Sequence, residues 1–584
     1  MKQFFKMFFA SLLALVVASF LSIWFFIAMI TAVSSFSSSD SPSVLEDVTV
    51  FEIKLSGSLS DRSSSDELDE LLSTFDKKSF NLTLENLRIS LDKAAASDEV
   101  KCLYLKCGNL SASPAAIEEA RRLISNFKEE TGIPVYAYAD NYNLSTYWIA
   151  TLADKIFMNN QGILDIHGCV AVPMFYKRAL DKLGIEMQVF KVGTFKSAVE
   201  PYILTEMSDA NRLQMTRMVE GLWQSAEQDI VATRNISAEQ LNKYADEGLF
   251  FADQQIAVEM GLIDSLLYEQ DLKQMIKDEF GDDADFVGVS YMSKVVVPTD
   301  YNSNKIAVLY ASGDIDGSSE DSMDSEKIVK ELNKLANNDK VKAVVLRVNS
   351  PGGSAFGSEQ MWYAAKQLKE VKPLIVSMGA YAASGGYYMS CVADTIVAEN
   401  TTLTGSIGIF GMMPNIEGLT DKLGLDIDVV KSHQLSDFGN SFRPMSQHEK
   451  NIMQNYVNRG YDLFVKRCSD GRNMSEEKIR KIAEGRVWLG KDAVELGLVD
   501  VIGGLDKAIE IAAEKVDLDE DSYSVAYYPK KKTLMEVFTD DFMNNISMRV
   551  LKNKLGGDAE LLNQYLYLKN MSGIQAIMPY KIEF

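Results

Sequence analysis

The sequence predicts an α/β protein made of two tandem repeats with mainly parallel sheets, preceded by one N-terminal transmembrane helix. Three observations carry this prediction. Short apolar runs suited to strands alternate with amphipathic stretches suited to helices, the pattern of strand–helix–strand units. The same residues recur in the same order at a spacing of about 240. Asp181-Lys182-Leu183-Gly184 returns as Asp421-Lys422-Leu423-Gly424, Tyr147-Trp148 as Tyr387-Tyr388, and Ala153-Asp154 as Ala393-Asp394. Finally, residues 8–33 are almost wholly apolar, long enough to span a bilayer.

Taken in order, residues 1–44 read as a cytoplasmic N-terminus, the anchor and a serine-rich linker. Lys2 and Lys6 precede the apolar run, and no basic residue follows it until Lys54. That asymmetry leaves the N-terminus in the cytoplasm and the body outside it. A cleaved signal peptide is the alternative, and Ala32-Val33-Ser34 keeps cleavage open, but such a segment has a shorter apolar core.

The first repeat is expected over 45–294 and the second over 295–525. Each opens on a strand, Val48 to Leu55 and then Ile306 to Tyr310. A second strand follows (Val100 to Lys106; Val341 to Val348), then a third (Val135 to Tyr138; Leu374 to Val376). A long amphipathic helix comes later in each, Asp209 to Thr233 and Gln447 to Arg467. The tail, 526–584, is mixed, with a possible helix from Thr533 to Leu555.

At 584 residues the chain exceeds one core. Its net charge of -23 argues against nucleic acid as a partner. Five cysteines exclude a complete disulfide framework. Cys102, Cys107, Cys169 and Cys391 lie in apolar runs, whereas Cys468 follows a charged helical segment and is expected to be exposed. The three histidines are not at ligand spacing, so neither a metal nor a cofactor is expected.

The stretch PLIVSMGAYAASGGYYMSCVA, residues 373–393, places Ser384 at a strand-to-helix junction. A hydroxyl there is either an ordinary N-cap or a nucleophile with an oxyanion hole partly built in. The repeat supplies context. Ser384 corresponds to Leu144, Ser145 to Gly385, and Ser406 to Ile166. Lys196 corresponds to Ser436, while Lys191 keeps a counterpart in Lys431. Each copy therefore holds what the other lacks, as expected of one site assembled across the repeats. A serine and a lysine form a known nucleophile–base pair.

Such a lysine must be neutral. Its ordinary pKa of about 10.4 must fall to about 7–8, which burial among apolar groups can achieve. Phe195 and Val199 suit that requirement, and Glu200 would oppose it if turned inward. The alternative for Lys196 is an exposed loop lysine. Ser406 is placed to orient the amine. Gly385, after the serine, and Gly353, in RVNSPGGSAFGS, are candidates for oxyanion-hole donors, although Pro351-Gly352 also suits a plain turn.

Four segments, VGTFKSAVEPY with Lys196, NSPGGS with Gly353, GAYAASGGYYMS with Ser384 and LTGSIGIFG with Ser406, resemble the signal peptide peptidase A family. The resemblance is to its long two-repeat form, within the ClpP/crotonase superfamily. It implies a serine protease anchored in the bacterial inner membrane by one span, with an extracytoplasmic catalytic body that digests released signal peptides. It also implies a homotetramer. Residue by residue it gives Ser384 as nucleophile, Lys196 as general base, Ser406 as the residue orienting the lysine, and Gly385 with Gly353 at the oxyanion hole. Two other classes remain to be weighed: a crotonase-like acyl-CoA enzyme, and a membrane-anchored scaffold with a degenerate site.

Overall fold

The computed structural model describes residues 45–63, 82–297, 302–319, 321–519, 522–530 and the backbone of 574–577, with three single positions before residue 45. The expected transmembrane segment and the expected helix from Thr533 to Leu555 lie outside the described residues. No helix among the described residues is long and apolar enough to cross a membrane.

The first repeat supplies strands β1 (Thr49–Ser58), β2 (Val100–Ser111), β3 (Val135–Ala139), β4 (Lys155–Met158) and β5 (Glu186–Val192). A six-stranded sheet runs Ser265–Leu266, β4, β3, β2, β1, Asp285–Gly288, and every neighbouring pair is parallel. All five residues of β3 are buried, which is why that strand reads as an unbroken apolar run rather than an alternating one.

The second repeat supplies β6 (Lys305–Ser312), β7 (Val341–Ser350), β8 (Gly352–Ser354), β9 (Leu374–Ala383), β10 (Leu403–Gly405) and β11 (Ile409–Asn415). Its eight-stranded sheet runs Val487–Leu489, β10, β9, β7, β6, Ser524–Tyr528, with Thr395–Ala398 and Val501–Ile502 branching from β9. Only the pairing of β10 with Val487–Leu489 is antiparallel.

The two repeats use equivalent residues for equivalent bonds. The Tyr147 hydroxyl donates to the Leu262 carbonyl at 2.7 Å, and Tyr387 donates to Leu498 at 3.0 Å. The Asp154 carboxylate accepts from Val135 N–H, and that of Asp394 from Leu374 N–H. Asp264 and Asp500 accept from Ile156 and Ile396, and each is paired with an arginine, Arg234 and Arg472. The long helices α1 (Asp209–Arg234) and α2 (Gln447–Arg472) start under serine caps, Ser208 and Ser446, and stop at left-handed Asn235 and Asn473. Cys468, expected to be exposed, is fully buried. It lies on the inward face of α2 against Cys391, so the charges preceding it mark the helix's opposite face.

Between the repeats lies a buried ionic seam. Arg347, 2% exposed, donates to Asp61 at 3.0 Å and to Glu119 at 2.6 Å. Glu119 also accepts from Arg88. Arg122 pairs with Glu399 of the second repeat. These charges are affordable only because each has partners of opposite sign.

A third, antiparallel sheet joins the repeats directly. β5 pairs with β11 over seven residues, from Val192 opposite Ile409 to Glu186 opposite Asn415. β11 in turn pairs with a strand from the tail, β12 (Ile574–Ile577), which pairs with β8.

Candidate active site

The β5–β11 ladder decides where Lys196 goes. β5 ends at Val192, beside Ile409, and the loop that follows must pass the start of β11. Gly193 turns with φ 109, and Phe195 N–H donates to the Glu484 carbonyl at 2.9 Å, pinning the loop against the second repeat. Gln214, from α1, holds the loop from the other side. Its Nε2 donates to Ser197 Oγ at 2.7 Å and to the Phe195 carbonyl at 3.2 Å. Gly485 then allows close approach: a Cβ there would lie 2.7 Å from Lys196 Cβ.

Ser384 sits where β9 meets the short helix α3 (Gly385–Ser390). Its backbone is at φ 54, ψ -112, unusual for a residue with a side chain. Its N–H donates to the Gly405 carbonyl at 2.8 Å. Ser384 occupies the N-cap position, yet its hydroxyl caps nothing. In the first repeat the matching helix, Leu144–Ala150, is capped conventionally, with the Asn143 side chain and Thr146 bonding reciprocally. The capping role suggested for Ser384 is thus absent, and its hydroxyl is directed to Lys196.

Lys196 Nζ lies 2.9 Å from Ser384 Oγ, 3.1 Å from Ser406 Oγ and 3.2 Å from the Ser406 carbonyl oxygen. All three residues have no solvent exposure. The exposed-loop alternative for Lys196 is therefore not what the fold contains. Burial pushes the amine from its ordinary 10.5 down to about 7. Glu200 does not oppose this. It is buried, but its carboxylate accepts from Ser208 N–H, Ser208 Oγ and Asn211 Nδ2, and so is spoken for at the start of α1. Val199 is fully buried and Phe195 partly so.

Ser406 has φ 50, and its N–H donates to the Arg486 carbonyl at 2.7 Å. Its hydroxyl donates to the Gly485 carbonyl at 3.4 Å, leaving the oxygen lone pairs for the amine. Gly385 is the first residue of α3, and β8 runs beside it. A Cβ on Gly385 would lie 3.2 Å from Gly352 Cα. Gly353, next along β8, has φ 152, and a Cβ there would lie 2.3 Å from the Ile315 carbonyl. The main chain of β8 thus runs close beside Gly385, and Gly352–Ser354 is strand rather than a plain turn. Among the described residues no His/Cys/Asp/Glu cluster could hold a metal ion.

Three participants were missed in the sequence: Gln214, the Glu484–Gly485 segment and the β5–β11 pairing. The only hint was the isolated Gly485 ahead of Arg486-Val487-Trp488.

A buried serine beside a lysine whose pKa burial lowers to about 7, with glycine main chain alongside, has the makings of nucleophilic acyl transfer. Comparison with known proteins agrees with that chemistry. The model of peptidase family S49 matches twice, over residues 127–281 and 366–519, one match in each repeat. Protease 4 of Haemophilus influenzae is 34% identical, covering 92% of this chain and 89% of its own. The chloroplastic serine protease SPPA of Arabidopsis thaliana is 28% identical, covering 87% of this chain and 76% of its own. Among solved structures, a ClpP1 mutant from Listeria monocytogenes is 13% identical over 35% of this chain, with a TM-score of 0.24. With two family matches and relatives aligned along most of its length, this chain belongs to peptidase family S49 and is a serine protease.

Proposed function

We propose that the protein is a membrane-anchored endopeptidase that uses a Ser384–Lys196 dyad to degrade signal peptides after their release. The observation that carries the dyad is the 2.9 Å contact between a fully buried lysine amine and a fully buried serine hydroxyl. A neutral amine has two N–H bonds and one lone pair. The two N–H bonds match the two Ser406 oxygens, at 3.1 and 3.2 Å, which leaves the lone pair for the Ser384 proton. Ser384 Oγ then attacks the peptide carbonyl while Lys196 takes the proton. The developing oxyanion is held by the N–H groups of Gly385 and Gly353. The ammonium returns the proton to the leaving amine, and water, deprotonated by the same amine, releases the acyl group.

Membership of a peptidase family favours this reading over an acyl-CoA enzyme or a scaffold. For the substrate class, the support is the name of a relative from Enterococcus faecium, a putative signal peptide peptidase SppA, 34% identical over 38% of this chain, and the apolar character of residues 8–33, which would hold the enzyme at the membrane where signal-peptide remnants lie. The charge asymmetry around that run supports a cytoplasmic N-terminus and an extracytoplasmic body. Self-association, a tetramer on this reading, is supported by exposed apolar side chains, among them Leu183 and its repeat counterpart Leu423, with Val172, Met174, Leu425 and Val430.

The test is hydrolysis of a fluorogenic peptide carrying a signal-peptide apolar core by wild type, Ser384→Ala and Lys196→Ala. Both variants are expected to be inactive. Wild-type rates in either one would remove the dyad.

A further inference from the structure

One buried acid between the repeats is held by a neutral partner. Glu118 lies on the first repeat's helix Pro114–Thr131 and is 8% exposed. Its Oε2 accepts two hydrogen bonds from a single residue of the second repeat, from Thr401 N–H at 3.1 Å and Thr401 Oγ1 at 2.9 Å. Thr401 is itself buried. Burial, and then the neighbouring Glu399 carboxylate, raise the Glu118 pKa above the usual carboxylate range. Oε2 can accept both bonds whether or not the other oxygen carries a proton. One turn further along the helix, Arg122 Nη1 donates to Glu399 at 3.0 Å, so the same helix also holds the chain just before Thr401.

The place of Thr401 in the chain gives this contact its reach. Thr401 stands at the entrance to β10, and the segment that follows is fastened to β9. Thr402 Oγ1 donates to the Gly379 carbonyl at 2.8 Å, and Thr404 Oγ1 to the Ala382 carbonyl at 2.7 Å. β10 pairs with β9 from Leu403 opposite Tyr381 to Gly405 opposite Ala383. At its far end the Gly405 carbonyl accepts from Ser384 N–H, and the next residue, Ser406, lies against Lys196 Nζ. Thr401 to Ser406 is five residues, at most about 18 Å of chain. Lys196 and Glu118 belong to the first repeat, and both serines to the second. The first repeat therefore holds this segment at both ends, by Lys196 at Ser406 and by Glu118 at Thr401. A hold at one end alone would let the segment pivot about it. Catalysis is sensitive to such shifts, since about 1 Å of misplacement can cost about a hundredfold.

We propose that Glu118 is a positioning residue for the reaction: by holding Thr401 it fixes the orientation of residues 401–406 against the first repeat, and with it the placement of Ser384 and Ser406 about Lys196. This rests on the Ser384–Lys196 pair proposed above and adds a second point at which the first repeat sets its geometry.

The test is the labelling of Ser384 by a fluorophosphonate probe in the full-length protein. Ser384 Oγ bonds to phosphorus, fluoride leaves, and Lys196 takes the hydroxyl proton. The amplitude of the time course counts the sites that can react, and the rate constant reports how well each is arranged. Glu118→Ala should label about tenfold more slowly at unchanged amplitude. The Arg122–Glu399 pair remains in that variant to hold the repeats together. Glu118→Gln, whose amide oxygen can accept the same two bonds, should label within about twofold of wild type. A wild-type rate constant in Glu118→Ala, with or without loss of amplitude, would overturn the proposal, as would a Glu118→Gln protein as slow as Glu118→Ala. Should Glu118→Ala fail to fold, Thr401→Val decides. It keeps the shape and the N–H and removes only the Oγ1 bond, so about a threefold slower rate is expected, and a wild-type rate would overturn the proposal. Lys196→Ala in the same assay separates the two claims. If the dyad is wrong, Lys196→Ala labels at the wild-type rate; if only the positioning is wrong, Lys196→Ala is slow and Glu118→Ala is not.

Discussion

Replacing Lys196 with methionine keeps a long unbranched side chain and removes the amine. Burial lowers the Lys196 pKa from 10.5 to about 7, a penalty on the charged form of roughly 5 kcal/mol. The unfolded lysine keeps its proton up to about 10.5, whereas the folded one loses it near 7. Between those values the unfolded state binds more protons, so wild-type stability rises with pH across that window. Below pH 7 the full penalty is present; above about 10.5 it is gone. Methionine carries no such term but forfeits the contacts with Ser384 and Ser406, a pH-independent loss of about 1–3 kcal/mol. Lys196→Met is therefore expected to be more stable than wild type by about 2–4 kcal/mol at pH 6.5, with the advantage gone by pH 10. Urea unfolding followed by tryptophan fluorescence at pH 6.5, 8 and 10 measures it. A difference that does not change with pH would refute the claim that the folded site holds a neutral amine.

Ser406→Ala removes one of two acceptors from the amine but leaves the carbonyl at 3.2 Å, so kcat should fall about tenfold to a hundredfold with KM little changed; steady-state kinetics decide. Gly353→Ala forces a Cβ against the Ile315 carbonyl and displaces β8, so kcat should drop by about a hundredfold or more while the far-ultraviolet dichroism stays native. Arg347→Met leaves Asp61 and Glu119 without their shared buried cation, and a loss of about 3–5 kcal/mol in unfolding free energy is expected.

The elements that sequence locates best are those with strong local signals. The serine caps and terminal asparagines of α1 and α2 bracket helices that extend only one and five residues past the expected ends at Thr233 and Arg467. β9 was expected to stop at Val376 but runs to Ala383, because pairing with β10 sustains it through Gly379, where the apolar signal gives out. Lys196 and Ser384 are separated by 188 positions, and no local pattern connects them. What brought them together on paper was comparing the two copies and finding that each lacks the other's residue. The means of meeting, the β5–β11 ladder and the Gly485 approach, depends on long-range pairing that leaves almost no trace in either segment. The pairing of β12 with β8 and β11 was invisible for the same reason, since strand addition is specified by backbone and not by side-chain type.

The central claim is that a neutral Lys196 activates Ser384. Its most direct test is the rate at which a fluorophosphonate probe labels Ser384 across pH 5.5–9, comparing wild type with Lys196→Ala. The account predicts a wild-type rate that rises with pH through an inflection near 7 and a Lys196→Ala rate lower by orders of magnitude without that inflection. Labelling of Ser384 in Lys196→Ala at the wild-type rate, with the wild-type pH profile, would contradict it.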